Sequence, residues 1–487
     1  PALTGRSFFL GNRYNHAVKH STPSKSQSAT FAPVYTDVLE LVGNTPMLEI
    51  TRIDTGPCRL LLKLESQNPG NSIKDRIAIA MIDRAEAEGV LKPGGHIVEA
   101  TAGNTGIALA LVGTQRDYSV TVVVPDKMAE GKIAHLRALG AEVVMARSDV
   151  EKGHPDYYQE VAAKIAAERG AFYVNQFSNQ ANVEAHYETT APEIWNQTNG
   201  EIDAFVVGVG SGGTVTGVGR YLKERNPDVK IVLADPVGSV LEPLVNEGRT
   251  VDAGSWLVEG IGEDFIPDIT DMDVIDEAIA VSDKDAFLAA RDLLRRQGLL
   301  SGSSSGTLLA AALSWCRRQT EPKTVVSFAC DHGAKYLDKM FNDHWMMDQG
   351  FLERTEHGNL RDLIARRHKH GEDYTVRSDL PLMQAIKAMK MHDVSQMAVF
   401  DEHDHIKGIL DESDILMAVT KDPANFNSPV SSFMTSRLVT VSPTDSVDDL
   451  LPIFRSDQVA IVMDGNSFCG LITQIDLINY LRKKLLR

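Results

Sequence analysis

An α/β fold with parallel sheets covered on both faces, followed by a smaller duplicated module, is predicted by three observations in this 487-residue chain. Between Tyr35 and Trp345, short β-branched runs alternate with helical patterns. Two glycine-rich loops each follow an apolar run and open a helix. Beyond about residue 374, one pattern is written twice.

Taken in order, residues 59–65 read as a strand closed by the turn Asn68-Pro69-Gly70, after which Asn71-Ser72-Ile73-Lys74-Asp75-Arg76 sets one lysine at a helix mouth. The positive end of the helix dipole and partial desolvation both disfavour an ammonium there, so Lys74 is a candidate amine for Schiff-base chemistry with a carbonyl cofactor. Alone it reads more plainly as a solvated lysine in the first turn of an amphipathic helix. The loops that follow reverse that. Ile97-Val98 leads into Glu99-Ala100-Thr101-Ala102-Gly103-Asn104-Thr105-Gly106, whose hydroxyls, amide and free backbone N–H groups at a helix start suit a carboxylate. Residues 120–125 and 142–145 are strands with a helix at 132–139 between them. The buried-strand run 204–207 precedes Gly208-Val209-Gly210-Ser211-Gly212-Gly213-Thr214, where glycine lets the backbone approach a phosphate. Residues 231–234 and 324–328 are further strands.

Two other enzyme classes compete. Gly208, Gly210 and Gly213 spell G-x-G-x-x-G, with Asp235 at the spacing of a ribose-binding acid, which suits a nicotinamide dehydrogenase. That fingerprint normally opens the first βαβ unit, whereas here several elements precede it, and it leaves Lys74 and the asparagine loop unused. Gly302-Ser303-Ser304-Ser305-Gly306 matches a nucleophile elbow, but residues 287–294 before it read as a helix rather than a strand.

Lys74 in N-S-I-K-D-R, the T-A-G-N-T-G loop, the G-S-G-G-T loop and the serine of S-G-S-S-S-G resemble, in order and spacing, the fold-type II pyridoxal-phosphate enzymes. Within them the chain is most similar to the cystathionine β-synthase family, from about Tyr35 to the C-terminus, including the extension that runs from Lys335 to Met346. The resemblance implies a two-sheet core with the cofactor in the cleft between the sheets. It implies that Lys74 carries pyridoxal 5′-phosphate and later takes the α-proton, that Asn104 bonds the 3′-oxygen, that Gly210, Ser211, Gly212, Gly213 and Thr214 cradle the phosphate, and that Ser304 meets the pyridine nitrogen. The substrate carboxylate would lie on Thr101, Ala102, Asn104 and Thr105, with Gln176 nearby, while Gly260 and Gly262 allow a segment to close over it. Serine as donor and homocysteine as acceptor then give cystathionine, with hydrogen sulfide from cysteine as a side activity. O-acetylserine sulfhydrylase is the alternative of the same chemistry, and an adenosyl-ligand sensor with an inactive core is the non-enzyme alternative. The chain departs from the family pattern at Ala102, usually serine, and at Phe177 and Glu263, usually tyrosines.

Composition agrees with a cytoplasmic enzyme. The net charge of −17 argues against a nucleic-acid partner, and no apolar run is long enough to span a membrane. Cys58, Cys316, Cys330 and Cys469 lack metal-ligand spacing. Some family members carry a haem held by a cysteine and a histidine; with no cysteine before Cys58 to partner His16 or His20, no haem is expected. Residues 1–34 are basic and rich in serine and threonine, so they suit a flexible arm better than a transit peptide. The catalytic domain is expected at 35–350 and a polar linker at 351–373, where His368-Lys369-His370 reads as solvated rather than as a metal cluster.

Repeats follow at 374–425 and 426–487. Gly408 to Gly470 and Asp414 to Asp476 share one offset, 62 residues. Each unit reads helix, strand, strand, helix, and would expose an apolar face alone. The repeats resemble paired regulatory (Bateman) modules, whose clefts take adenosyl ligands; Thr473 and Asp476 are the candidate contacts, against the plain reading of Asp476 as a helix N-cap. Val394-Ser395 lacks the aromatic and acidic pair of members that respond to S-adenosylmethionine, so weak or absent activation is expected. A homodimer or higher homo-oligomer is implied.

Overall fold

The computed structural model describes residues 34–485 apart from 102, 127, 129, 148, 151–152, 354–356 and 457. The N-terminal arm up to residue 33 and Ala102 lie outside the described residues. The chain divides into two compact units, Pro1–Lys335 and Tyr336–Arg487. The segment 336–350, assigned from sequence to the catalytic domain, falls in the second.

The first unit contains strands β1 (Met47–Glu49), β2 (Arg59–Lys63), β3 (His96–Ala100), β4 (Ser119–Pro125), β5 (Glu142–Ala146), β6 (Phe172–Tyr173), β7 (Ala204–Val207), β8 (Lys230–Pro236), β9 (Glu277–Val281) and β10 (Thr324–Phe328). They form a six-stranded sheet ordered β1-β2-β10-β7-β8-β9 and a four-stranded sheet ordered β5-β4-β3-β6. All neighbours run parallel except β1, which pairs antiparallel with β2 at the edge. The near-continuous apolar runs follow from burial on both faces: Val122, Val123 and Val124 of β4 and Phe205 and Val206 of β7 are fully enclosed.

Strand order decides what meets. β2, β10 and β7 are parallel neighbours, so the loops leaving their carboxyl ends emerge side by side. These loops lead to Lys74, to Cys330-Asp331 and to the glycine loop. Such strand ends are where open α/β sheets bind ligands.

The second unit holds β11 (Thr375–Arg377), β12 (Gln396–Phe400), β13 (Ile406–Asp411), β14 (Thr440–Val441), β15 (Ala460–Asp464) and β16 (Ser467–Ile472), in sheets β11-β12-β13 and β14-β15-β16. Each repeat carries a short leading strand that the helix-strand-strand-helix reading lacked, and the register breaks at matching places, Val399/Phe400 and Val462/Met463. Ala398 and Phe400 of one repeat pack with Ile461 and Phe468 of the other, closing the apolar faces on each other. The 351–373 stretch is not a bare linker. Leu360, Leu363 and Ile364 are buried in the core of the second repeat, and His368 stacks on Phe400 at 5.1 Å while bonding Asp373 at 2.9 Å. Three apolar residues spaced 3 and 1 apart among charges gave too weak a pattern to reveal this.

Candidate active site

Lys74 is the first residue of the helix Lys74–Ala87, after Asn71 turns the chain at a φ of 64°. Its N–H donates to Ser72 Oγ at 3.2 Å. Burial lowers its pKa, opposed by the nearby Cys330, Glu263 and Asp331. The same turn is clamped from below: Arg76 is buried and bridges Glu65 at 2.8 Å and Glu193 at 2.7 Å, and Lys63 reaches Glu193 at 2.7 Å. Burial pushes neighbouring Asp75 up to about 7, opposed by the N–H that Gly70 donates to it.

The asparagine loop leaves β3 and opens the helix Asn104–Arg116. Gly103 sits at φ 143°, and a side chain there would press on Lys132, which pairs with Glu259. Thr105 Oγ1 donates to Gln176 Oε1 at 2.8 Å, and Gln176 Nε2 to Glu99 at 3.3 Å. Glu99 is fully buried and pushed up to about 8 by desolvation. Asn104 donates to Asp331 at 2.9 Å and accepts from Lys335 at 2.6 Å. Thr101 is buried beside them.

The glycine loop leaves β7 and opens the helix Gly213–Arg225. Gly212 has φ 89°, a conformation side chains avoid. Added methyl groups would collide with the Gly260 carbonyl from Gly210, with Thr270 Oγ1 from Gly212 and with Asn182 Oδ1 from Gly213. Thr270 Oγ1 and Asn182 Oδ1 are buried without partners. Asn182 also joins the two loops, donating to Gln176 O at 2.9 Å and to Ser211 Oγ at 2.8 Å. Thr214 Oγ1 lies 3.1 Å from His186 Nε2, a buried imidazole held neutral chiefly by desolvation.

Ser304 lies in the first turn of the helix Ser303–Arg317, bonded to the Cys330 thiol, which burial pushes up to about 12. Cys330 N–H donates to Ser305 Oγ at 2.9 Å and its carbonyl accepts from Ile73 N–H at 2.9 Å. Thus the end of β10 ties the lysine turn to the serine turn. Gly260 and Gly262 belong to a segment moored by Glu259 N–H to Ser303 Oγ at 3.0 Å and by Gly262 N–H to Val209 O at 2.9 Å. Phe177 stands edge-on to Phe265 at 5.4 Å. The described residues singled out from sequence around Lys74, Asn104, Gly210 and Ser304 are therefore joined through shared partners. Sequence reading did not single out Asn182 and Thr270 beside the glycine loop, or Asp331 and Lys335 at Asn104, as site residues; each comes from a distant segment.

The competing readings fare differently. Asp235 is buried and accepts from Glu242 N–H at 2.9 Å, so it caps the following helix rather than facing the glycine loop. The Gly302–Gly306 turn follows helical chain at 283–297, not a strand. A desolvated amine, a backbone cradle too tight for side chains and an unpartnered hydroxyl beside it together fit pyridoxal phosphate.

The family model for pyridoxal-phosphate dependent enzymes matches residues 38–331, and that for the CBS domain matches 363–421 and 430–483. Fold and site thus define a pyridoxal-phosphate-dependent enzyme with a C-terminal CBS-domain pair. The chain is 33% identical to the cystathionine beta-synthase of Apis mellifera over 471 residues, covering 94% of this chain and 93% of that protein. It is 41% identical over 319 residues to cysteine synthase 1 of Neurospora crassa, covering 64% of this chain and 84% of that one. Among solved structures, O-ureido-L-serine synthase matches with a TM-score of 0.60 and 32% identity, covering 67% of this chain and 99% of that one. The chain belongs to the cystathionine β-synthase family.

Proposed function

We propose that this protein condenses serine with homocysteine to cystathionine by β-replacement. The observation that carries the reading is Lys74, a desolvated amine placed where three parallel strand ends converge on a phosphate cradle. Pyridoxal phosphate, when bound, supplies an electron sink for the substrate α-carbon. Lys74 Nζ would hold the cofactor and would take the α-proton, a task that its lowered pKa suits. Gly210, Ser211, Gly212, Gly213 and Thr214 hold the phosphate from the helix N-terminus. Thr101, Asn104, Thr105 and Gln176 would receive the substrate carboxylate, with Asn104 also donating to the cofactor's 3′-oxygen. Ser304 would offer a hydroxyl to the pyridine nitrogen, a partner that, unlike a carboxylate, would not favour its protonation. Gly260 and Gly262 let their segment close and exclude water.

Supplying serine or O-acetylserine against homocysteine or sulfide, and identifying the product, tests this directly. Cystathionine from serine is expected. Cysteine formed much faster from O-acetylserine and sulfide would favour the second reading, cysteine synthase, which the higher identity of the core to that enzyme supports. Near-complete coverage of the cystathionine beta-synthase relative favours the first.

The proposal includes no haem on Cys58, which is buried with its thiol turned to the Cys316 carbonyl at 3.7 Å. A stoichiometric Soret band would overturn it. Four unbridged thiols support a reducing, cytoplasmic setting; among the described residues no helix is long and apolar enough to cross a membrane. Exposed Leu416, Met417, Ile475 and Ile478 on the closing helices of the two repeats support a homo-oligomer. Thr473 and Asp476 remain the proposed contacts for an adenosyl ligand.

A further inference from the structure

We infer that Lys335 and Asp331 are positioning residues that lock the side-chain amide of Asn104 in one orientation, with an N–H rather than the carbonyl oxygen turned to the cofactor. The inference rests on the role proposed above for Asn104. A primary amide presents an acceptor and a donor group of nearly the same shape, and a half-turn exchanges them. Its two protein partners here each work in one direction only. The Lys335 ammonium carries donors and no acceptor, so the group 2.6 Å away must be the amide oxygen. Asp331 is a carboxylate that accepts, so the group 2.9 Å from its Oδ2 must be Nδ2. Flipping the amide would set oxygen against carboxylate and N–H against ammonium. The arrangement leaves one Nδ2 hydrogen for an outside acceptor, which is what an anionic oxygen on the cofactor ring needs.

The two partners are themselves fixed. Asp331 follows β10, and its backbone bridges Ser72, two residues before Lys74, while accepting from Gly302 N–H at 3.1 Å. Lys335 is partly buried; desolvation lowers its pKa, and the Asp331 carboxylate opposes that by favouring the ammonium. Its position in the 3-10 turn Gly333–Tyr336 brings a cation to a loop more than two hundred positions earlier in the chain.

The experiment is a double-mutant cycle on the cofactor-loaded enzyme with Lys335→Met and Asn104→Ala, read by kcat, KM and the absorption bands of the bound cofactor. Lys335→Met should lower kcat about tenfold with KM for serine little changed, and should redistribute the bands, because a carbonyl now reaches the ring oxygen in part of the population. Lys335→Arg should restore most of both. In the Asn104→Ala background, Lys335→Met should add little. Additive losses, or unchanged bands in the single variant, would overturn the inference. Lys335→Gln, which can donate or accept, gives the same cycle should the methionine variant fold poorly, as judged by melting without cofactor. If wild-type protein itself binds no pyridoxal phosphate, the functional reading fails; if it binds and the cycle is additive, only the positioning role does.

Discussion

The two units treat polar groups at the start of a helix in opposite ways. In the first, the glycine loop and its surroundings hold buried groups that no protein atom satisfies: Thr270 Oγ1 and Asn182 Oδ1 stand beside Gly212 and Gly213. In the second, the matching junctions are closed on themselves. Thr473 donates both its N–H, at 2.8 Å, and its hydroxyl, at 2.6 Å, to Asp476, and Asp411 and Asp414 form a reciprocal capping box. Burying a polar group unpaired is costly, so a fold retains it where a ligand repays the cost. The glycine loop of the first unit thus leaves polar groups open to a partner, whereas these two junctions of the second satisfy their own.

The sharpest way to break that contrast is Lys74→Ala. Visible absorption of the bound cofactor should vanish and β-replacement should fall by roughly 10³-fold or more. Retention of both would remove the amine from the chemistry and with it the purpose of the cradle.

Next in size is Gly213→Ala, whose methyl would overlap Asn182 Oδ1. Cofactor affinity, measured by equilibrium titration, should drop roughly ten- to a hundredfold as overpacking displaces the cradle. In the second unit the comparable insult, Asp476→Ala, should instead cost about 1 kcal/mol of that unit's stability by leaving the N–H and hydroxyl of Thr473, which precedes the helix, without their acceptor. A cofactor affinity untouched by Gly213→Ala would contradict the picture of a shaped cradle.

A smaller effect concerns the pH response of the first unit. Burial raises Glu99 to about 8, Asp75 to about 7 and Asp235 to about 6 in the folded first unit. Between the ordinary carboxylate range and these values, the folded chain retains protons that the unfolded chain has shed. Folded stability from these groups therefore falls as pH rises through that window. Glu193, held down to about 2, works oppositely and weakens the fold only in acid. The holoenzyme should melt several degrees lower at about pH 8 than at about pH 5, and Glu99→Gln should flatten part of that slope. A melting point insensitive to this substitution across the range would place Glu99 outside the balance.

The smallest effect is expected from S-adenosylmethionine. Thr473 and Asp476 are engaged with each other, and Val394-Ser395 offers neither a ring to stack on adenine nor a carboxylate for the sulfonium. Calorimetric titration beside a steady-state assay should show weak or no heat and no rise in turnover. Saturable binding with several-fold activation would show that the closed junction opens for a ligand.

Contiguous motifs were legible in the sequence. Lys74, the Thr101–Thr105 loop, the Gly210–Thr214 loop and Ser304 each announce themselves within a few residues, because turns and helix starts demand particular residue types locally. The partners that bind these motifs together were not. Asn182 lies in the middle of a short helix, Thr270 in a loop and Asp331 just past a strand, and nothing about a lone amide, hydroxyl or carboxylate tells which distant loop it will face. The alternation of strand and helix identified the fold class, but not the antiparallel edge strand β1. Leu360, Leu363 and Ile364, hidden among charges, showed no apolar face until the second repeat supplied their neighbours.

The strand order has a consequence for the newly made chain. β10 lies between β2 and β7 although it is the last strand of its unit to be synthesised. Until residues 324–331 leave the ribosome, the sheet carries a vacant central slot and two unpaired inner edges, Lys74 lacks its Cys330-Asp331 wall, and Asn104 has no carboxylate to meet. A nascent chain that has already made the lysine, the asparagine loop and the glycine loop is therefore still unable to capture cofactor. Closure of the sheet is a late, long-range event, the slow kind of folding step that leaves edges open to misassembly. Completion of the cleft that would grip the cofactor therefore waits on the strand made last in the unit.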